Sequence, residues 1–494
     1  MLQIITDKVL TLIKYDPLQP LMFNSGFFLY FFVFVILFYN FVKSNIKVRN
    51  IYLMLVSFFF YYKSSGLFLG ILIFSTVLDF TIARYMYQSN SQRIKRLWLL
   101  FSLVTNIGLL CYFKYTNFFF SSFSHFFGYE FTPFDILLPV GISFYTFQSI
   151  SYIIDIYKME IKPLSSYLDY AFYVSFFPQL VAGPIVRAKD FIPQISKTNY
   201  VNQIMLGRGT FLIMAGLFKK VIISDYLSVN FVDRIFDAPS LYSGFENLLG
   251  CYGYALQIYC DFSGYSDMAI GIALLLGFKF NDNFNLPYQS SSITEFWKRW
   301  HISLSSWLKD YLYIPLGGNK KGIFRTYFNL LLTMIIGGFW HGASVSFIIW
   351  GLWHGVLLAF DKLRLSLFPV GNKNGMKRKM IKVLGIFITF HLVCIGWVLF
   401  RSDTLNTAIS IFSQIKNGID FSLFPQFAKG YTSVFFLIVL GYSLHFVPKK
   451  VDHMLILYFS RKGSFYLALI MALFLFLLIQ VRSSDIQPFI YFQF

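Results

Sequence analysis

Three histidines stand where an imidazole has chemistry to do. His301 lies in the stretch Thr294–Tyr311. There Phe296, Trp297, Trp300, Leu304, Trp307, Leu308 and Tyr311 share one face of a helical wheel, with Lys298, Lys309, Glu295 and Ser305 on the other. The spacing predicts one amphipathic helix with His301 at the border, reaching inward while protons and water stay accessible. An amphipathic surface helix with a snorkelling histidine is the competing reading. His341 lies in Gly337-Gly338-Phe339-Trp340-His341-Gly342-Ala343, at the end of the apolar block Tyr327–Trp340. Flanking glycines admit another backbone or a thin substrate. An imidazole at membrane depth avoids the cost of a buried charge, about 2.5–3.5 kcal/mol at the centre of a span, by staying neutral. A neutral imidazole is also what a general base requires. On spacing alone a hydrogen-bonded packing histidine fits equally well. His354, in a second Trp-His-Gly, is read as structural. Asp261 and Asp267 are read as buried, paired carboxylates. No HxxxH, HExxH, GxSxG or phosphate-loop pattern occurs, so neither a metal site nor a serine nucleophile is expected.

The elements that must position these groups are membrane helices. Of 494 residues, 56% are hydrophobic and 13% charged, against roughly a quarter charged in soluble chains, which excludes an ordinary soluble enzyme. The apolar residues form blocks that approach the roughly 20 residues of a helical span, without the alternation of a barrel strand. The expected fold is all-α: a polytopic transmembrane bundle of about 11 to 13 membrane helices, some short or re-entrant, around a central tunnel. The first span is placed at Gly26–Val42, and Leu248–Phe278 is read as two short helices broken at its glycines. Residues 1–20 are too polar for a signal peptide and are expected to form an interfacial extension. Residues 21–494 then form a single membrane-embedded domain.

The net charge of +19 resides in short segments beside apolar blocks, among them Lys43–Arg49, Arg84–Arg96 and Lys219–Lys220. That distribution fits cytoplasmic loops rather than nucleic-acid binding. Lys298, Arg299, Lys309, Lys320, Lys321 and Arg325 are candidates to meet an anionic donor, with interfacial anchoring as the alternative. The four cysteines lie in apolar blocks and read as buried free thiols.

The segments Leu138–Gln148, Phe177–Ile185, Asp261–Asp267, Trp297–Tyr311 and Phe339–Ala343 together resemble the membrane-bound O-acyltransferase family, and within it the branch that acetylates polysaccharides such as alginate. The likeness covers roughly residues 21–405, with Met22-Phe23-Asn24-Ser25 similar to the family's usual start and a motif core at 138–355. The resemblance implies that His341 is the principal catalytic histidine and His301 the second member of the pair. It also implies acetyl-coenzyme A as acyl donor on the cytosolic side, with no permanently bound cofactor and no metal. The implied acceptor is a hydroxyl of an envelope polysaccharide at the bacterial inner membrane, reached directly or through an extracytoplasmic acetyltransferase partner. Two alternatives stay open: a non-enzymatic glycan exporter or flippase, and an acyltransferase acting on teichoic acid, lipid or protein. Roughly the last 90 residues carry nothing that names the acceptor.

Overall fold

A chain in lipid must satisfy its backbone within each segment, and blocks this apolar do so as helices. The computed structural model describes residues 14–17, 20–181, 183–367, 375–481 and 487–490, and among them every regular element is helical. The N-terminal extension expected at residues 1–20 lies largely outside the described residues. Six helical stretches are long and apolar enough to cross a membrane: Ile46–Gln88, Gln92–Phe127, Ile323–His341, Val345–Leu367, Lys379–Arg401 and Ser464–Val481. A seventh arises when Phe421–Gly430 and Thr432–His445, bent by 102° at their junction, count as one broken span. The chain is a multi-pass membrane protein. The 11 to 13 membrane helices expected from sequence included shorter ones such as Gly26–Val42, which appears with the predicted bounds.

The chain folds as two compact units. The first holds residues 1–205 and 269–280. The helices Gly26–Val42 and Ile46–Ser65 start at side-chain caps: Ser25 accepts from Phe28 N at 3.2 Å and Asn45 from Val48 N at 3.2 Å. Here Arg49, read from sequence as a loop cation, is fully buried and donates to the carbonyls of Ile195 and Lys197, both at 2.6 Å. Asp79 is buried too, accepting from Ser102 Oγ at 2.6 Å and from Asn106 Nδ2 at 3.0 Å.

The second unit holds residues 206–268 and 281–494. Lys219 and Lys220 follow the helix Gln203–Leu217 in a π-helical stretch, Phe218–Ser224. They are not loop cations. Lys220 is buried between Asp261 at 2.5 Å and Asp225 at 2.8 Å, and Lys219 pairs with Asp267 at 2.5 Å. The two short helices expected over 248–278 are instead one continuous helix, Gly244–Leu275. Its glycines serve close approach rather than interruption: a Cβ on Gly264 would stand 2.7 Å from the Gly216 carbonyl.

The site is framed by the hairpin Ile323–His341 and Val345–Leu367. A Cβ on Gly338 would overlap the Phe347 carbonyl, and one on Gly351 would overlap the Met334 carbonyl. Only glycine at both positions lets the helices touch backbone to backbone.

Candidate active site

The predicted continuous helix over Trp297–Tyr311 is interrupted at the histidine. Ser292 caps a short helix, Ile293–Trp297, by accepting from Glu295 N at 3.2 Å. The chain then turns, and the next helix, Ile302–Leu308, begins immediately after His301. His301 itself adopts a left-handed conformation, φ 41° and ψ 57°, which costs a non-glycine residue about 1–3 kcal/mol. Asn283 holds it there. Its carbonyl accepts from Ile302 N at 2.9 Å, and its Oδ1 accepts from Ser303 N at 3.2 Å and from Ser303 Oγ at 2.9 Å. Asn283 Nδ2 in turn donates to Ser266 Oγ on the long helix, at 3.1 Å. The left-handed turn swings the ring off the wheel's border and into full burial.

That anchoring fixes the tautomer. Because Asn283 Oδ1 already accepts from a backbone N–H, His301 Nδ1, 3.2 Å away, is a donor to it. The lone pair therefore sits on Nε2, which is buried without a hydrogen-bond partner among the described residues. The ring meets Phe262 edge-on at 4.5 Å and lies parallel to Phe284 at 6.4 Å. Burial in this apolar wall pushes its pKa down to about 3, so the imidazole is neutral at physiological pH.

His341 is the last residue of its helix, with Gly342 already extended at φ −164°. It is 4% exposed, among Trp340 at 5.0 Å, Trp350 at 5.2 Å and Phe400 at 5.3 Å between ring centroids. Both predicted catalytic histidines thus lie in the second unit. A continuous run of rings connects their walls. Phe284 packs on Trp300 at 5.0 Å, Trp300 on Trp397 at 4.8 Å, and Trp397 on Phe400 at 5.7 Å. His354, read as structural, is also fully buried and touches Trp350, Trp297 and Phe296.

Other groups fall as their surroundings dictate. Asp261 and Asp267 are paired, as the sequence reading held, and Asp261 Oδ2 also accepts from Ile490 N at 2.9 Å. Lys298, Lys309, Lys320, Lys321 and Arg325 are exposed, whereas Arg299 is bound to Glu295 at 2.7 Å. His445 had no distinguishing context in the sequence. It is buried at the end of the bent pair, where its Nε2 accepts from Tyr288 N at 3.1 Å and its ring meets Tyr259 edge-on at 4.7 Å. Only the fold brings Tyr288 to it.

A profile of the membrane-bound O-acyltransferase family matches residues 158–402, a range that includes His301, His341 and His354. The chain is 38% identical over 509 aligned positions to a Pseudomonas putida protein described as "Probable alginate O-acetylase AlgI", covering 96% of this chain and 100% of that one. It is 43% identical to the Pseudomonas aeruginosa protein of the same description, over 78% of this chain and 73% of the other. A peptidoglycan O-acetyltransferase of Helicobacter pylori is 37% identical over 79% of each chain.

Proposed function

This chain belongs to the membrane-bound O-acyltransferase family, and on that premise we propose that it transfers an acetyl group from cytosolic acetyl-coenzyme A to a hydroxyl of a cell-envelope polysaccharide, directly or through an extracytoplasmic partner, in the bacterial cytoplasmic membrane. The relatives' descriptions as O-acetylases of alginate and of peptidoglycan support an acetyl donor and a glycan acceptor. The observation that carries the catalytic reading is His341, buried at a helix end among aromatic rings inside the family-matched segment.

In this reading His341 takes the proton of the acceptor hydroxyl as its oxygen bonds to the thioester carbonyl carbon. The tetrahedral intermediate collapses with cleavage of the C–S bond. The coenzyme thiolate leaves with that electron pair and receives the proton, so ester and free thiol are the products. His301 contributes an acceptor: its Nε2 lone pair receives a hydrogen bond from a second hydroxyl of the glycan and so orients the nucleophile, leaving the reacting hydroxyl's proton to His341, a role suited to the Nδ1–H tautomer that Asn283 imposes. A neutral Nε2 in that tautomer donates nothing to a developing oxyanion. The aromatic walls exclude the water that would hydrolyse the thioester. The exposed lysines and Arg325 are where the coenzyme's phosphates are expected to dock.

The test is acetyl transfer from labelled acetyl-coenzyme A in membranes carrying His341→Ala. Activity should fall by at least about 10²-fold with membrane insertion unchanged. Wild-type turnover in the inserted variant removes His341 as base. Ester-acetyl content of the envelope with and without the gene separates a polysaccharide acceptor from teichoic acid, lipid or protein. Lost glycan export with unchanged acetylation of the remaining glycan would instead mark an exporter.

A further inference from the structure

The acyl-transfer step needs hydrogen-bond donors for the carbonyl oxygen, and the His301 tautomer supplies none at Nε2. Donors without acceptors are nevertheless present beside His341. Trp350, His354 and Trp297 form a triangle of mutually touching rings. The centroids are 4.9 Å apart for Trp350 and His354, 5.3 Å for Trp297 and His354, and 5.8 Å for Trp297 and Trp350. Trp350 and His354 are at most 1% exposed and lie one turn apart on the helix Val345–Leu367. The indole Nε1 atoms of both tryptophans and both ring nitrogens of His354 are shut off from solvent with no hydrogen-bond partner among the described residues.

Ordinary packing does not leave nitrogens in this state, because buried polar groups are normally paired. Two groups nearby are paired in this way. Trp353 Nε1 donates to the Leu392 carbonyl at 2.9 Å, and the buried Tyr288 hydroxyl donates to the Ala255 carbonyl at 2.5 Å. An indole N–H only donates, and a neutral imidazole offers one donor and one acceptor. The triangle therefore presents three donors against one acceptor. Its complement is an oxygen with lone pairs and no proton. Trp350 also stands edge-on to His341 at 5.2 Å and 88°, which puts the triangle next to the proposed base.

We propose that His354, Trp350 and Trp297 form the hydrogen-bonding pocket for the carbonyl oxygen of the acyl donor. The assignment rests on the acyl-transfer reading above. As the acceptor oxygen bonds to the carbonyl carbon, the C=O π pair moves onto the carbonyl oxygen, where the three N–H groups hold it. It returns when the C–S bond breaks and sulfur departs with its electrons. Because the charge on the oxygen grows only on the way to the transition state, the donors lower the barrier more than they tighten binding.

The test measures kcat and KM for labelled acetyl-coenzyme A in membranes carrying His354→Phe, which keeps the ring against Phe296, and Trp350→Phe, which keeps an aromatic and loses the N–H. Each should lower kcat by about 10²-fold with KM little changed. His354→Gln, which restores a donor and an acceptor, should recover roughly tenfold of the loss. A merely structural ring predicts the opposite order, with phenylalanine tolerated better than glutamine. Wild-type kcat in inserted His354→Phe or Trp350→Phe overturns the proposal, and Trp350→Phe decides alone where His354→Phe fails to insert. His341→Ala in parallel keeps the two readings apart: an inactive His341→Ala beside a fully active His354→Phe sinks only the triangle.

Discussion

Replacing Asn283 by alanine removes one oxygen on which the position of His301 depends. Asn283 Oδ1 accepts from Ser303 N, Ser303 Oγ and His301 Nδ1. The serine hydroxyl has the freedom to rotate to another partner. The two N–H groups do not, and a stranded buried donor costs about 1–3 kcal/mol. Ser303 is only half-buried, so water recovers part of its loss, and the expected destabilisation is about 2–4 kcal/mol. The left-handed strain at His301, about 1–3 kcal/mol, then lacks its counterweight and the turn relaxes. A ring displaced by about 1 Å costs up to about 10²-fold in turnover. The assays are acetyl transfer in membranes and thermal unfolding in detergent. Asn283→Asp sharpens the comparison: it keeps an acceptor for both N–H groups but adds a negative charge, which raises the His301 pKa from about 3. An imidazolium has no lone pair on Nε2, so this variant should lose activity toward acid pH where the wild type does not. Asn283→Ala with wild-type kcat and an unchanged melting temperature would refute the reasoning.

Two further expectations concern stability. The folded His301 titrates near 3 and the unfolded one near 6.5, so below about pH 6.5 the unfolded chain takes up the proton and the folded one does not. Stability from this group is complete above 6.5 and falls by about 1.4 kcal/mol per pH unit on the acid side. His301→Gln lacks that loss, so its stability relative to wild type should improve by about 2 kcal/mol between pH 7 and 5, and parallel melting curves would contradict this. Lys220→Met leaves Asp225 and Asp261 facing one another without their shared cation, at a cost of about 3–5 kcal/mol. Adding Asp261→Asn should restore part of it, and a Lys220→Met protein melting with the wild type would show the cluster to be solvated.

Where the sequence carried a period and a boundary, the helices were legible. Gly26–Val42 begins at its serine cap and ends at Lys43, and the block Tyr327–Trp340 reappears inside a longer helix. The wheel over Trp297–Tyr311 failed because it assumed an unbroken 3.6 period. The group that breaks it, Asn283, lies 18 residues upstream of His301, and no local rule connects the two. Lys219 and Lys220 misled for a related reason. Their charge reads as a loop signal until distant Asp261 and Asp267 are brought to them. The aromatic run Phe118–Phe127 continues the helix Gln92–Phe127, since aromatics satisfy a lipid-facing surface as well as a membrane edge. Spacing says nothing about whether a buried nitrogen has a partner, so His354 reads as structural from sequence, while in the fold both its ring nitrogens are without a hydrogen-bond partner among the described residues.

The crossing at Gly338 and Gly351 has a mechanical side. Each helix carries a carbonyl inside the space a methyl group would need on the other. Sliding the hairpin by one residue would drive a bulky neighbour, Phe339 or Trp350, into backbone. Hydrophobic mismatch between protein and lipid is absorbed by tilt, and these two helices must tilt together as one strut. His341 and His354 then keep a constant separation in thick and thin bilayers alike, so a change in lipid thickness leaves the spacing of the two rings untouched.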